Sequence, residues 1–242
     1  MTIDLVRVSK LMSLRGMCSR REAEYFISLK QVIVNGEIVA TQGVKAPVNA
    51  KIELLSTGKK IQQDKVTILL NKPVGYVSTQ PEKGYRAAID LVTSENQFIK
   101  NRKFLFSYKK KLSVAGRLDI DSKGLLVLSQ DGTLVKKLIG PDCNMEKEYI
   151  VRVEGNVNEK ILEKLSFGLC LDGKSLKKAN INILEPFVLK IILKEGKKRQ
   201  IRRMCELVGL RVVSLKRVRI GRVNLNNLPI GKWRFLNPNE TF

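Results

Sequence analysis

The segment Gly116-Arg117-Leu118-Asp119-Ile120-Asp121 sets an arginine and two carboxylates at alternate positions. In an extended backbone, alternate residues share one side, so Arg117, Asp119 and Asp121 would face together. Paired carboxylates can cleave a glycosidic bond, but positions i and i+2 on one strand are rather close for that chemistry. They can also hold magnesium, but no further carboxylate cluster supplies the remaining ligands. An aspartate in a polar loop is most often solvated or structural, so this segment does not choose its chemistry alone.

What the chain lacks narrows the choice. It contains no histidine, which excludes Ser-His and Cys-His catalysis and histidine-ligated zinc. Its four cysteines, Cys18, Cys143, Cys170 and Cys205, are far apart and form no C-x-x-C pair. They read as small buried apolar groups, and no metal site is expected. Catalysis therefore rests on carboxylates, supported by Lys, Arg or Tyr. In Glu146-Lys147-Glu148-Tyr149-Ile150-Val151, one strand face carries Lys147, Tyr149 and Val151. A strand tyrosine ordinarily rims a core, but beside a carboxylate it could stack on an unstacked base.

A helix from Arg199 to about Val208 would bury Ile201, Met204, Cys205 and Val208 and end at Gly209. Lys197, Lys198, Arg199, Arg202 and Arg203 then crowd its first turns, where cations oppose the helix dipole. An Arg202–Glu206 pair at i,i+4 accounts for one of them. A bound anion accounts for all five.

The whole chain supports that anion. Its 242 residues hold 45 Lys+Arg against 23 Asp+Glu, a formal charge of +22. Such an excess repels itself unless a polyanion offsets it, and nucleic acid is the first expectation. With 43% apolar residues the chain can bury a core. No apolar stretch approaches a membrane span, and the first 16 residues are broken by charges, unlike a signal peptide. A cytoplasmic protein, with no membrane partner, is expected.

Two units must position these groups. Within residues 1–60, a short helix from Leu5 to Leu14 is stopped by Gly16, and Ser19-Arg20-Arg21-Glu22 is a capping box opening a second helix to about Leu29. Asn35-Gly36 between Val32-Ile33-Val34 and Glu37-Ile38-Val39 is a hairpin signal. Lys10, Arg15, Arg20 and Arg21 surround the helix junction and could meet an RNA backbone. Residues 56–64 read as a polar linker. The second unit, 65–242, opens on a buried-type strand, Val66 to Leu70, that ends in a turn cluster, Asn71 to Gly75. Ala88 to Val92 looks helical, and 94–113 reads as a surface insertion. A strand follows from Gly124 to Leu128, with an Asp131-Gly132 turn after it.

Residues 6–54, with Cys-Ser-Arg-Arg-Glu-Ala and Val-Asn-Gly, resemble the S4 RNA-binding domain. Lys30 departs from that family, which usually has a glycine ending the second helix; kept geometry requires Lys30 to turn left-handed. Behind this unit come Asn-Lys-Pro-x-Gly at 71–75, Gly-Arg-Leu-Asp at 116–119, Glu-Lys-Glu-Tyr at 146–149 and Arg-Gln-Ile-Arg-Arg-Met at 199–204. Together they resemble the RNA pseudouridine synthases of the small-subunit/large-subunit rRNA group. Met-Cys-Glu at 204–206 and Gly-Lys-Trp-Arg at 231–234 lean towards the large-subunit synthase F type. Val114-Ala115 stands where relatives usually have Pro before the Gly-Arg-Leu-Asp.

The resemblance implies an α+β fold: an S4-like helical-hairpin domain, then a pseudouridine synthase domain with a mixed, mainly antiparallel sheet and a central basic cleft. It implies isomerisation of uridine to pseudouridine in ribosomal RNA, 23S first, with no cofactor. Asp119 is the essential aspartate, with Arg202 opposite it as an ion-pair partner. Tyr149 stacks on the uracil, Ile201 packs near the base, and Arg117 fills the gap left by the flipped uridine. Lys72, Lys197, Lys198, Arg199 and Arg203 join the N-terminal cations on RNA. A monomer is expected. The alternatives are 16S rRNA or tRNA as substrate, and a non-catalytic RNA-binding assembly factor. A helix-turn-helix DNA binder is disfavoured by the hairpin after the two helices.

Overall fold

Local chemistry writes most of the N-terminal unit. The computed structural model describes residues 4–81, 84–100, 102–140 and 143–242. Residues 1–3 of the expected N-terminal unit and Asn101 of the expected insertion lie outside these. A short strand, Leu5–Arg7, precedes helix α1, Val8–Leu14, so the helix starts later than Leu5. Helix α2, Arg20–Ser28, opens on the expected capping box. The Ser19 amide donates to Glu22 Oε2 at 2.7 Å, and the Glu22 amide donates to Ser19 Oγ at 3.3 Å. Lys30 is left-handed at φ +57°, as the missing glycine required, and Asn35 and Gly36 both take positive φ in the hairpin. Val8, Leu11, Met12, Phe26, Ile27 and Val32 form a core of their own.

The expected linker is instead helix α3, Ser56–Gln63. Its Ser, Thr and Gly are poor helix formers, so packing holds it. Gly58 lies against Gln31 and Leu54, Ile61 reaches the N-terminal core, and Gln62 Nε2 donates to the Met17 carbonyl at 2.6 Å.

Among the described residues the central sheet has nine strands and is mixed but mainly antiparallel. Its main path runs Asn180–Glu185, Val188–Leu193, Lys147–Glu154, Arg211–Ile220, Lys123–Ser129, Thr67–Lys72 and Trp233–Phe235. Within this sheet the parallel pairing joins Lys123–Ser129 to Arg211–Ile220. Thr67–Lys72 and Lys123–Ser129 are buried on both faces, which is why they read as nearly continuous apolar runs. Leu70, Leu126, Leu128 and Val151 pack on one face; Leu69, Leu125 and Val127 pack on the other. Asp131-Gly132 is not a plain turn: Asp131 caps helix α4, Gly132–Ile139, accepting from the Thr133 amide at 2.9 Å. Helix α5, Glu159–Ser166, and helix α6, Gln200–Leu207, contribute Leu165, Ile201, Met204 and Cys205 to the first face.

The described residues of 94–113 are mostly exposed, as a surface insertion should be, but the segment is anchored on the sheet. The preceding Thr93 carbonyl accepts from Trp233 Nε1 at 2.7 Å, and the Phe98 amide donates to the Trp233 carbonyl at 2.8 Å. Phe104 and Tyr108 pack on the core, so the segment covers the Trp233 end of the sheet. Cys18 and Cys205 are buried as expected, and burial pushes both thiols up to about 12. Cys143 is half-buried and Cys170 is exposed, contrary to expectation. Among the described residues no helix is long and apolar enough to cross a membrane.

The two units meet at the start of α4. Glu22 pairs with Lys65, and a Cβ on Gly132 would lie 2.5 Å from Ser19 Cβ. Only glycine allows that approach.

Candidate active site

The Gly-Arg-Leu-Asp loop is fastened from several sides. Gly124, at φ +107°, passes so close to the neighbouring strand that a Cβ would lie 2.2 Å from the Arg217 carbonyl. That approach delivers the Arg217 side chain, itself 1% exposed, beneath the loop. Its Nε donates to the Leu125 carbonyl at 2.8 Å, Nη2 to Gly116 at 2.7 Å and Nη1 to Arg117 at 3.4 Å. Ser78 grips Leu118 twice, accepting from its amide at 2.9 Å and donating to its carbonyl at 2.6 Å. The Ala115 amide donates to the Val127 carbonyl at 2.9 Å, a bond that a proline at that position could not make.

The expected extended geometry of 117–121 is interrupted. The Ser122 amide donates to the Asp119 carbonyl at 3.1 Å, closing a turn through Ile120 and Asp121. The two carboxylates therefore face different spaces. Asp119 lines a cleft of about 1460 Å³ together with Arg117, Tyr149, Ile201 and Arg202. Asp121 lines a smaller cavity of about 320 Å³ with Val74, Lys123, Val213 and the other side of Arg202. The main cleft exceeds the roughly 300–1,000 Å³ of ordinary small-molecule sites. Eight lysines and arginines line it against three carboxylates, which suits a polyanion.

Arg202 is paired differently from the expectation. Its Nε lies 3.2 Å from Asp121 Oδ2, its Nη2 donates to the Asp121 carbonyl at 2.9 Å and its Nη1 to Val212 at 3.2 Å. Arg199 Nη2 reaches the same Asp121 oxygen at 3.0 Å. The Asp121 side chain faces α6 because of the turn, so it takes the arginine expected for Asp119. Burial acts to raise the Asp121 pKa, but the Arg199 hydrogen bond and the charges of Arg202 and Arg199 outweigh it and hold the group below its ordinary value.

Lys72 is corrected as well. It was expected on RNA, but it is 0% exposed, and its ammonium donates to the Pro73 and Tyr76 carbonyls at 2.9 and 2.8 Å. The apolar strand Thr67–Lys72 carries it inward past the expected turn. Burial lowers its pKa to about 8, against the pull of Asp121 and Asp119. Arg203 lies outside the cleft lining and forks onto Asp172 at 2.9 and 2.6 Å. Lys197, Lys198 and Arg199 do line the cleft. In the N-terminal unit Lys10, Arg20 and Arg21 are exposed. Arg15 stitches α1 to the Val48 and Ala50 carbonyls at 2.7 Å each.

Tyr149 and Ile201 are buried, with 8% and 4% exposure, and add apolar surface to the cleft lining. Sequence reasoning missed Arg217 and Ser78. The available signal was an arginine two places after Leu215, in the inward phase of a strand.

The family described as RNA pseudouridylate synthase matches residues 66–207. A protein of Escherichia coli K12, named dual-specificity RNA pseudouridine synthase RluF, is 38% identical over 97% of this chain and 77% of its own. One of Bacillus subtilis, named ribosomal large subunit pseudouridine synthase B, is 34% identical over 97% of this chain and 93% of its own. A crystal structure of a pseudouridylate synthase superposes with a TM-score of 0.66 at 27% identity, covering 96% of both chains.

Proposed function

The chain belongs to the RNA pseudouridylate synthase family, and from that premise we propose that it converts uridine to pseudouridine in 23S rRNA with Asp119 as its catalytic group. The family activity is isomerisation of uridine within RNA. It exchanges the N1–C1′ and C5–H bonds for C5–C1′ and N1–H, so atoms balance without any oxidant or reductant.

One observation carries the residue roles: the motif residues Asp119, Tyr149, Ile201 and Arg202, from three separate segments, line one cationic cleft. A carboxylate can open the glycosidic bond by attacking C1′ or by removing a ribose proton. Tyr149 stacks on the uracil, Ile201 packs against its edge, and Arg117, exposed at the cleft, fills the space vacated by the flipped nucleotide. Lys197, Lys198 and Arg199 take the backbone phosphates near the target. Residues 1–60 act as an S4-like domain whose exposed Lys10, Arg20 and Arg21 add non-specific affinity. The enzyme works as a cytoplasmic monomer.

The test is tritium release from [5-³H]uridine-labelled 23S, 16S and tRNA transcripts. C5 must lose its hydrogen to bond C1′. Release from 23S by the wild type, lost in Asp119→Asn, is expected. Release confined to 16S or tRNA overturns the substrate. Equal release by Asp119→Asn overturns the role of that residue.

A further inference from the structure

The segment that covers the Trp233 end of the sheet is one-sided in its chemistry. Its inner side is fixed: Phe104 meets the Trp233 ring and Tyr108 meets the Phe235 ring. Gln130 Nε2 donates to the Tyr108 and Lys110 carbonyls at 3.2 and 2.8 Å. Arg102 belongs to this side, with its guanidinium 4.8 Å from the Tyr108 ring centre and its Nε donating to the Tyr108 hydroxyl at 3.0 Å. The short helical turn Phe106–Lys109 leaves the Phe106 ring outside, 73% exposed, with the Lys109 ammonium 5.8 Å from its centre. Lys103 and Lys110 are exposed as well. Between Glu95 and Asp119 the sequence holds no carboxylate.

The segment also joins two surfaces proposed above for RNA. Towards the N-terminal unit, Lys111 sets its ammonium 3.4 Å from the centre of the Tyr25 ring in α2. In the other direction, Leu112, Ser113 and Val114 line the cleft. Phe106 is six residues from Leu112, at most about 22 Å even along an extended chain. One RNA can therefore touch both.

We propose that Phe106 is a stacking platform for an unpaired base outside the cleft, with Lys103, Lys109 and Lys110 binding the phosphates beside it. The ligand is single-stranded RNA flanking the target uridine, so the inference rests on the RNA substrate proposed above. A bare aromatic ring among cations suits unpaired RNA, because every base has a face to stack and every linkage a charge to pair. A protein partner fits less well, since lysine is depleted at such interfaces. Burying the ring would stabilise the fold, and its exposed position forgoes that gain.

The probes are a mixed-sequence RNA strand of about 12 nucleotides and the blunt duplex it forms with its complement. Phe106→Trp adds an exposed indole, while the chain's one tryptophan, Trp233, is buried. The new emission should be quenched by the strand and little changed by the duplex. By anisotropy of the labelled strand, Phe106→Ala should weaken binding by roughly 5- to 150-fold, and Phe106→Trp should retain it within about threefold. Replacing Lys103, Lys109 and Lys110 together with Gln should flatten the log–log salt slope by about 2. No quenching by the strand, equal quenching by the duplex, or binding by Phe106→Ala within about twofold of wild type would each overturn the inference. In tritium release, Phe106→Ala should raise KM and leave kcat within about twofold; a loss confined to kcat overturns the inference too. Absence of release by the wild type would instead count against the proposed function, and the binding measurements would still decide the platform.

Discussion

The N-terminal unit and the cleft use the same cations in opposite ways. Around the α1–α2 junction, Lys10, Arg20 and Arg21 stand in solvent. Under the cleft, Lys72 and Arg217 are buried, and their donors end on backbone carbonyls. An exposed cation gains little from its own protein and is available to a phosphate. A buried one is costly unless fully bonded, and once bonded it fixes geometry. Net charge therefore overstates the RNA-binding surface, because part of it is scaffold.

That division can be broken in four ways. The largest effect belongs to Asp119→Asn, which should cut tritium release by roughly 10²–10⁴-fold while leaving the urea midpoint unchanged. A variant that unfolded would place Asp119 with the scaffold. Next, Arg217→Met strips donors from carbonyls of Leu125, Gly116 and Arg117. It should cost about 3 kcal/mol, seen as a melting temperature lower by roughly 6–12 °C. A melt indistinguishable from wild type would dissolve the contrast.

Lys72 sharpens it through pH. Its folded pKa of about 8 lies below the ordinary 10.5, so between those values the unfolded chain holds a proton that the folded chain lacks. This group's contribution to stability therefore rises as pH climbs from about 8 to 10.5. Lys147, also lowered by burial, acts in the same direction. The wild-type minus Lys72→Met difference in urea-derived stability should shift by on the order of 1–3 kcal/mol across that interval. A flat difference would make Lys72 a solvated cation after all. The smallest effect is expected from replacing Lys10, Arg20 and Arg21 together with Gln. Stability should hold within about 0.5 kcal/mol. The salt dependence of RNA binding should flatten by about 0.7–0.9 in log–log slope for each phosphate that is no longer neutralised.

The parts of the fold that were legible rest on short-range chemistry. The Ser19–Glu22 capping box and the Asn35-Gly36 hairpin each depend on a few neighbouring residues, whereas left-handed Lys30 was legible through the S4 resemblance. The buried character of the strand expected from Val66 to Leu70 was visible as a mainly apolar run. The site residues were legible only through motif resemblance, and the burial of Lys72 and the clamp made by Arg217 were not legible at all. Their partners are carbonyls, which every residue has, and for Arg217 they lie about a hundred positions away. Asp121 was misplaced because an i, i+2 argument assumes an extended chain, and one hydrogen bond from Ser122 turned it away. Helix α3 escaped notice since its apolar content is low and its stability comes from surfaces it meets only after folding.

The Gly124–Arg217 approach also sets a schedule. Arg217 follows Gly116 by 101 residues, and at roughly 5–20 residues per second a ribosome delivers it about 5–20 seconds later. Until then the loop bearing Asp119 lacks its fastening from below, and the parallel strand pair cannot form. A nascent chain thus exposes its basic N-terminal surface well before the Asp119 loop is fastened. On the function proposed above, RNA binding and catalysis are separated in time by the late arrival of one arginine.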